Sequence, residues 1–189
     1  MSNLAYADTL KFERHNGKII AMSPAYLRHN GVAFNIAVIF SKYLKGKTCR
    51  AFPDGAAVHF SEKDMLVPDA MIVCNKDIIK PNGIHGAPDL VVEVLSATTS
   101  KRDRGYKKSA YEKYGVKEYW IIDTNSCQIE VYLLKEDRYE LDNTYSIFTN
   151  DMLEIMTDEE KAEIQMEFKT SLFDDLIISV EEVFEDIIE

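Results

Sequence analysis

The sequence predicts an α/β (α+β) chain with a mixed central β-sheet flanked by helices, and three observations carry that expectation. Apolar residues recur at helical spacing in Val32, Ile36, Ile39, Phe40 and Tyr43. Two later stretches, 65–74 (MLVPDAMIVC) and 89–95 (DLVVEVL), are apolar on both faces, as buried central strands are. The order of elements is a helix, a run of strands, a second helix and more strands.

The elements follow in order along the chain. Residues 9–22 read as two short strands around the turn signal His15-Asn16-Gly17, an N-terminal β-hairpin. Ser23 and Pro24 supply a cap and a first helical residue for a helix reaching about Leu44. Strands are expected at 50–59, 65–74 and 89–95. Ser100 is expected to cap a basic helix that Gly115 ends. The stretches 118–123 (EYWIID) and 128–134 (QIEVYLL) are two further strands joined by a turn at 124–126, and a weaker strand is expected near 139–148. ISVEEVFEDII closes the chain as a short helix. No internal repeat or interdomain linker is visible, so 1–189 is expected to be a single domain with 151–189 packed on it.

Composition narrows the function classes. The three cysteines, Cys49, Cys74 and Cys127, are far apart and form no C-x-x-C pair, so neither a disulfide framework nor a cysteine zinc site is indicated. The expected setting is the reducing cytoplasm. There is no apolar run long enough to span a bilayer, and the N-terminal stretch lacks an apolar signal core. The net charge of −10 is unevenly spread: 151–189 hold 14 acids and 2 bases, whereas 101–117 hold seven bases and two acids. The basic run therefore keeps an anionic partner in view, although a solvated helix face explains such a run equally well.

Each two-sided apolar strand carries one acid, Asp69 in the first and Glu93 in the second. Buried carboxylates on neighbouring strands repel each other unless they share a proton, meet a cationic side chain or hold a divalent cation. Hard cations such as Mg²⁺ take oxygen ligands, commonly one or two carboxylates with waters and phosphate oxygens. An ordinary buried carboxylate satisfied by a backbone N–H or a lysine is the plainer alternative. Asp89 lies on the Glu93 side of its strand but about 13 Å away at the usual strand rise; it reads as a strand-start residue or one that supports the ligands from behind.

In the basic helix Asp103, Lys107 and Tyr111 are four apart and share a face. An ammonium there could hold a phosphate or orient water, or simply pair with Asp103. Lys101, Arg102, Arg104 and Lys108 would supply a surrounding positive field for nucleic acid. Tyr106, Tyr111 and Trp120 could stack on a base, though such spacing more often marks core. His59 and His85 are given only solvent or packing roles.

The strings VPDAMIVC and GAPDLVVEVLSATTSKRDRGYKKSAYEKYGVKEYWIID resemble the Uma-two family of restriction-endonuclease-like bacterial proteins, a branch of the PD-(D/E)xK nuclease superfamily. The resemblance covers about 9–135. It implies a restriction-endonuclease-like core and a Mg²⁺-dependent phosphodiesterase site, with Mn²⁺ as a substitute. Asp69 matches the motif aspartate and Glu93 the acid of the (D/E)xK part. The lysine expected two residues after Glu93 is replaced by Leu95, and Lys107 in the following helix is the matching position, with Lys108 the less favoured substitute. His29 on the first helix would take the place of a helix acid near the site, or serve as a satisfied core histidine.

What the resemblance implies is in-line hydrolysis of a phosphodiester, in DNA for preference. Asp69, Glu93 and the Val94 backbone carbonyl would hold Mg²⁺, and Lys107 would orient or help deprotonate the attacking water. Asp103 and Tyr111 would support the site. A homodimer would supply the two sites that cutting a duplex requires. A nucleic-acid-binding or regulatory protein without turnover on the same fold is the alternative.

Overall fold

The computed structural model describes residues 11–96 and 99–187. Residues 9 and 10 of the expected first strand, and residue 188 of the closing helix, lie outside that range.

The hairpin forms as expected. Strands β1 (Phe12–His15) and β2 (Lys18–Ala21) pair antiparallel with His15 opposite Lys18. Asn16 and Gly17 between them both have positive φ, 47° and 82°, the backbone that a two-residue turn of matching twist requires. The helix α1 (Leu27–Leu44) follows, but it starts later than Ser23-Pro24 predicts. Its cap is Tyr26, in extended conformation and without a side-chain capping bond. The Met22 N–H donates to the Lys11 carbonyl at 2.9 Å, so hairpin pairing continues one residue past β2, and the chain runs without regular structure to Tyr26.

Each of the two expected strands at 50–59 and 65–74 is split between two sheets. β3 (Arg50–Pro53) and β6 (Ala70–Val73) belong to one sheet, while β4 (Val58–His59) and β5 (Met65–Leu66) belong to another. Pro68 has no N–H for a ladder, and the chain crosses between sheets around it. The small sheet is completed by the hairpin and by β7 (Ile79–Lys80) and β8 (Gly83–Ile84), in the order β2-β1-β5-β4-β8-β7.

The large sheet also contains β9 (Leu90–Val94), β10 (Glu118–Asp123), β11 (Gln128–Lys135) and β12 (Arg138–Ser146), in the order β12-β11-β10-β9-β6-β3. Only β9 and β10 pair parallel, with Glu93 opposite Ile121, so the sheet is mixed. Residue alternation divides its two faces. Leu90, Val92, Trp120 and Ile122 pack with α1, whereas Val91, Leu95, Tyr119 and Ile121 pack with the helix after β9 and with residues of the small sheet.

That helix has three parts: α2 (Ser100–Arg102), a π-helical turn Asp103–Lys107, and α3 (Lys108–Tyr114). Ser100 is its first helical residue and not its cap; Thr99 precedes it, exchanging hydrogen bonds with Ser96. Gly115 ends α3 at φ 82°, donating to the carbonyls of Glu112 and Tyr111.

The acidic C-terminal part contains two short exposed helices, α4 (Asn150–Ile155) and α5 (Asp158–Ala162), then a hairpin, β13 (Glu167–Thr170) and β14 (Phe173–Ser179), and α6 (Val180–Val183). The closing helix is shorter than the predicted ISVEEVFEDII. Phe168 stacks on Tyr145 at 4.3 Å and meets the edge of Trp120 at 5.1 Å. Buried Glu118 accepts from Trp120 Nε1 at 2.7 Å and from the Ser171 N–H at 2.7 Å, which ties this hairpin to β10.

The expectation of no disulfide does not hold: Cys49 and Cys74 are joined. They are 25 residues apart but flank the paired residues Arg50 and Val73 of β3 and β6, a proximity that sequence spacing conceals. Among the described residues no helix is long and apolar enough to cross a membrane.

Candidate active site

Four segments converge on the Glu93 side of the large sheet. Glu93 comes from the middle of β9, and Asp69 stands just before β6, whose pairing places Ala70 opposite Val92. The hairpin contributes Glu13, α1 contributes His29 from its first turn, and the π-helical turn contributes Asp103 and Lys107. Because π-helical turns are wider than α-helical ones, they re-aim side chains and recur at functional sites; here Asp103 and Lys107 are both buried. Tyr111 follows from α3.

Lys107 is the hub. Its Nζ lies 2.6 Å from Glu93 Oε1, 2.9 Å from Glu13 Oε1 and 3.7 Å from Asp103 Oδ1. The Tyr111 hydroxyl donates to the same Glu93 oxygen at 2.6 Å. Asp69 accepts from the Val94 N–H through Oδ2 at 2.7 Å and from His29 Nε2 through Oδ1 at 3.0 Å. Glu13 also accepts from the Val67 N–H at 3.0 Å and from His15 Nε2 at 2.8 Å.

Four carboxylates gather around one lysine and two histidines, His29 on Asp69 and His15 on Glu13. Burial works against the Glu13 carboxylate, but Lys107 and hydrogen bonds from His15 and Val67 prevail and bring its pKa down to about 2. Burial pushes Glu93 well above the usual carboxylate range; Lys107 opposes the rise, while Asp103, Asp69 and Glu13 add to it. Asp103 is raised by burial, against the pull of Lys107. Burial disfavours the Lys107 ammonium, yet Glu93, Glu13 and Asp103 together hold it charged above the range of a free lysine. Burial also disfavours charged His29, and its bond to Asp69 more than offsets that.

Of the residues singled out in the sequence, Asp69, Glu93, Lys107, His29, Asp103, Val94 and Arg102 line one recess of about 470 Å³, and Tyr111 backs it through Glu93. Others are elsewhere. Asp89, expected to support the ligands, accepts from the Cys74 N–H and from Lys117 at 2.8 Å each, at the other end of β9, where the strand rise carries it out of reach. Arg104 pairs with Glu130 at 2.6 Å, and Lys108 stands over the Tyr132 ring at 3.4 Å. These two cations of the expected nucleic-acid surface are held against β11. Lys101 is exposed. Trp120 is core, Tyr106 stacks on His15, and His59 stacks on His85.

Glu13 is the site residue that sequence reading missed. In β1 the polar residues Glu13 and His15 face inward while Phe12 is 41% exposed, the reverse of the usual pattern. A glutamate alternating with a histidine on one face of a short strand was the available signal.

The donor set suits a hard divalent cation. It offers carboxylate oxygens with no thiolate; burial is what chiefly pushes Glu93 upward, and the neighbouring acids that add to the push are charge a cation would offset. Among the described residues no three His, Cys, Asp or Glu side chains converge on one point. Mg²⁺ commonly binds through as few as one or two carboxylates, with waters completing its shell.

A family model described as "Uma2: Putative restriction endonuclease" matches residues 3–166. An uncharacterized protein from Synechocystis is 26% identical over 129 residues, which cover 67% of this chain and 68% of the relative. The crystal structure of a putative nuclease belonging to DUF820, from Anabaena variabilis, superposes with a TM-score of 0.68 at 19% identity, over 92% of this chain and 89% of that one. At that identity the likeness bears on the fold, and it matches the mixed sheet flanked by helices.

Proposed function

Because the chain belongs to the Uma2 family of restriction-endonuclease-like proteins, we propose that it is a Mg²⁺-dependent nuclease that hydrolyses phosphodiester bonds in DNA. The observation that carries this reading is the placement of Lys107 against Glu93 and Glu13, with Asp69 in the same recess. Asp69, Glu93 and Lys107 would be the two acids and the lysine that such hydrolysis calls for, with the lysine delivered from the following helix and Glu13 as a third acid beside it.

Asp69, Glu93 and the Val94 carbonyl would hold the cation. When bound, Mg²⁺ polarises the phosphate and lowers the pKa of a water. Lys107, which three carboxylates favour as an ammonium, would orient the attacking water, hold the phosphate and offset the charge that develops on its oxygens. Tyr111 and Asp103 fix the Lys107–Glu93 pair, and His29 fixes the Asp69 carboxylate. Water adds to phosphorus as one P–O ester bond breaks, giving a phosphomonoester and an alcohol; the attacking water releases its proton to solvent and the leaving oxygen takes one from solvent. Each site cuts one strand, so a homodimer is needed only for a double-strand cut.

One observation favours the second reading, a nucleic-acid-binding or regulatory protein without turnover: Lys107 is fully engaged by acids, as in a purely structural network. A titration with Mg²⁺ and Mn²⁺, followed by incubation with labelled DNA, separates the two. The nuclease binds the ion and cuts, and Asp69→Asn abolishes both. The binding protein leaves the DNA intact at every metal concentration.

A further inference from the structure

Glu13, Asp69, Glu93 and Lys107 are only 1, 6, 2 and 3% exposed. They form the floor of a recess whose volume of about 470 Å³ falls in the range of pockets that enclose small ligands. A DNA duplex is stiff over about 150 bp, so bringing one of its phosphates down into such a recess costs deformation energy. A nucleotide reaches a buried centre by leaving the stack, which costs least where it is already unpaired.

The rim fits an unstacked nucleotide. One wall is the segment between the hairpin and α1, from Met22 to Tyr26, and its last residue, Tyr26, lines the recess and is 76% exposed. The adjacent Leu27 is 71% exposed. An accessible aromatic ring is a platform on which any base can stack. Positive charge at the rim is sparse. Lys11 is paired with Asp54, and Arg102 makes no ion pair among the described residues. Arg104 and Lys108 are turned to β11. Duplex-binding surfaces gather many cations along the phosphates, whereas one or two suffice for a short single strand.

We infer that the site takes single-stranded DNA, or a duplex end or flap whose terminal nucleotides are unpaired, with one base stacked on Tyr26 and a neighbouring phosphate held by Arg102. The inference rests on the nuclease reading and adds the form of the substrate.

The test is fluorescence anisotropy of fluorescein-labelled oligodeoxynucleotides with the full chain in Ca²⁺, using a single strand, a blunt duplex of equal length and a duplex with an unpaired overhang. The single strand and the overhang are expected to bind at least roughly tenfold more tightly than the blunt duplex, with a shallow dependence on salt from few phosphate contacts. Tyr26→Ala should weaken single-strand binding by roughly 5- to 150-fold, the range of one lost base–aromatic stack, and Tyr26→Phe should retain it. Thermal melts of both variants should match the wild type, because the ring is exposed. Blunt duplex binding as tight as single-strand binding, or an unchanged affinity in Tyr26→Ala, overturns the inference and leaves the nuclease reading standing. Absence of binding by all three probes overturns both.

Discussion

Lys107 Nζ approaches Glu93 Oε1 to 2.6 Å, and both side chains are almost completely withdrawn from water. The pair explains how a central strand apolar on both faces carries a glutamate. Of the compensations open to a buried acid, a cationic partner is directly in place, and it is shared with Glu13 and Asp103. Burial pushes Glu93 upward, and Asp103, Asp69 and Glu13 add to that push against the opposition of Lys107. The pair is therefore both a structural element and a place where a further positive charge would be favoured.

Lys107→Ala should be strongly destabilising in EDTA. It leaves Glu13, Glu93 and Asp103 buried without their common partner, and breaking a buried pair costs about 3–5 kcal/mol. Mn²⁺ should recover more stability in this variant than in the wild type, because a divalent cation replaces the missing charge. Urea melts with and without Mn²⁺ read both effects; a variant as stable as the wild type would mean that the lysine is not the hub.

Glu13 sets an acid limit to stability. Its folded pKa of about 2 lies below the ordinary 4.5, so its contribution is fully present above pH 4.5 and is lost as pH falls toward 2. A shift of that size corresponds to roughly 3 kcal/mol at neutral pH. Glu13→Gln should lose about that much at pH 7, and its deficit against the wild type should shrink between pH 4.5 and 2. A deficit independent of pH would place the cost in packing.

The C-terminal hairpin tests the extent of the domain. We propose that 151–189 fold with the rest of the chain as one unit, because Phe168 is gripped between Trp120 and Tyr145. Phe168→Ala should cost about 3–5 kcal/mol and lower a single melting transition. Two transitions, with the one reported by Trp120 fluorescence unmoved, would show a separate C-terminal unit.

Much of this was legible in the sequence because it is local. Asp69 and Glu93 stood out as acids in two-sided apolar strands, and the four-residue spacing put Asp103, Lys107 and Tyr111 on one face even though a π-helical turn intervenes. What was not legible depends on partners distant in the chain. Arg104 and Lys108 looked like a free basic surface until β11 brought up Glu130 and Tyr132. Asp89 was drawn to the site by strand parity, but Lys117 and the Cys74 N–H hold it at the far end. Cys49 and Cys74 meet only through the register of β3 and β6. Glu13 was hidden because its strand turns the polar face inward.

The claim that Asp69 and Glu93 form a divalent-cation site is tested most directly by thermal unfolding of the wild type, Asp69→Asn and Glu93→Gln in EDTA and in saturating Mn²⁺. An ion that binds only the folded chain at a hundred times its Kd adds about 2.7 kcal/mol. Mn²⁺ should raise the melting temperature of the wild type by the corresponding amount and leave both variants unmoved. A wild-type melting temperature that is the same in EDTA and in Mn²⁺, with Glu93→Gln melting far below it in EDTA, would make Glu93 a structural ion-pair member and contradict the metal site.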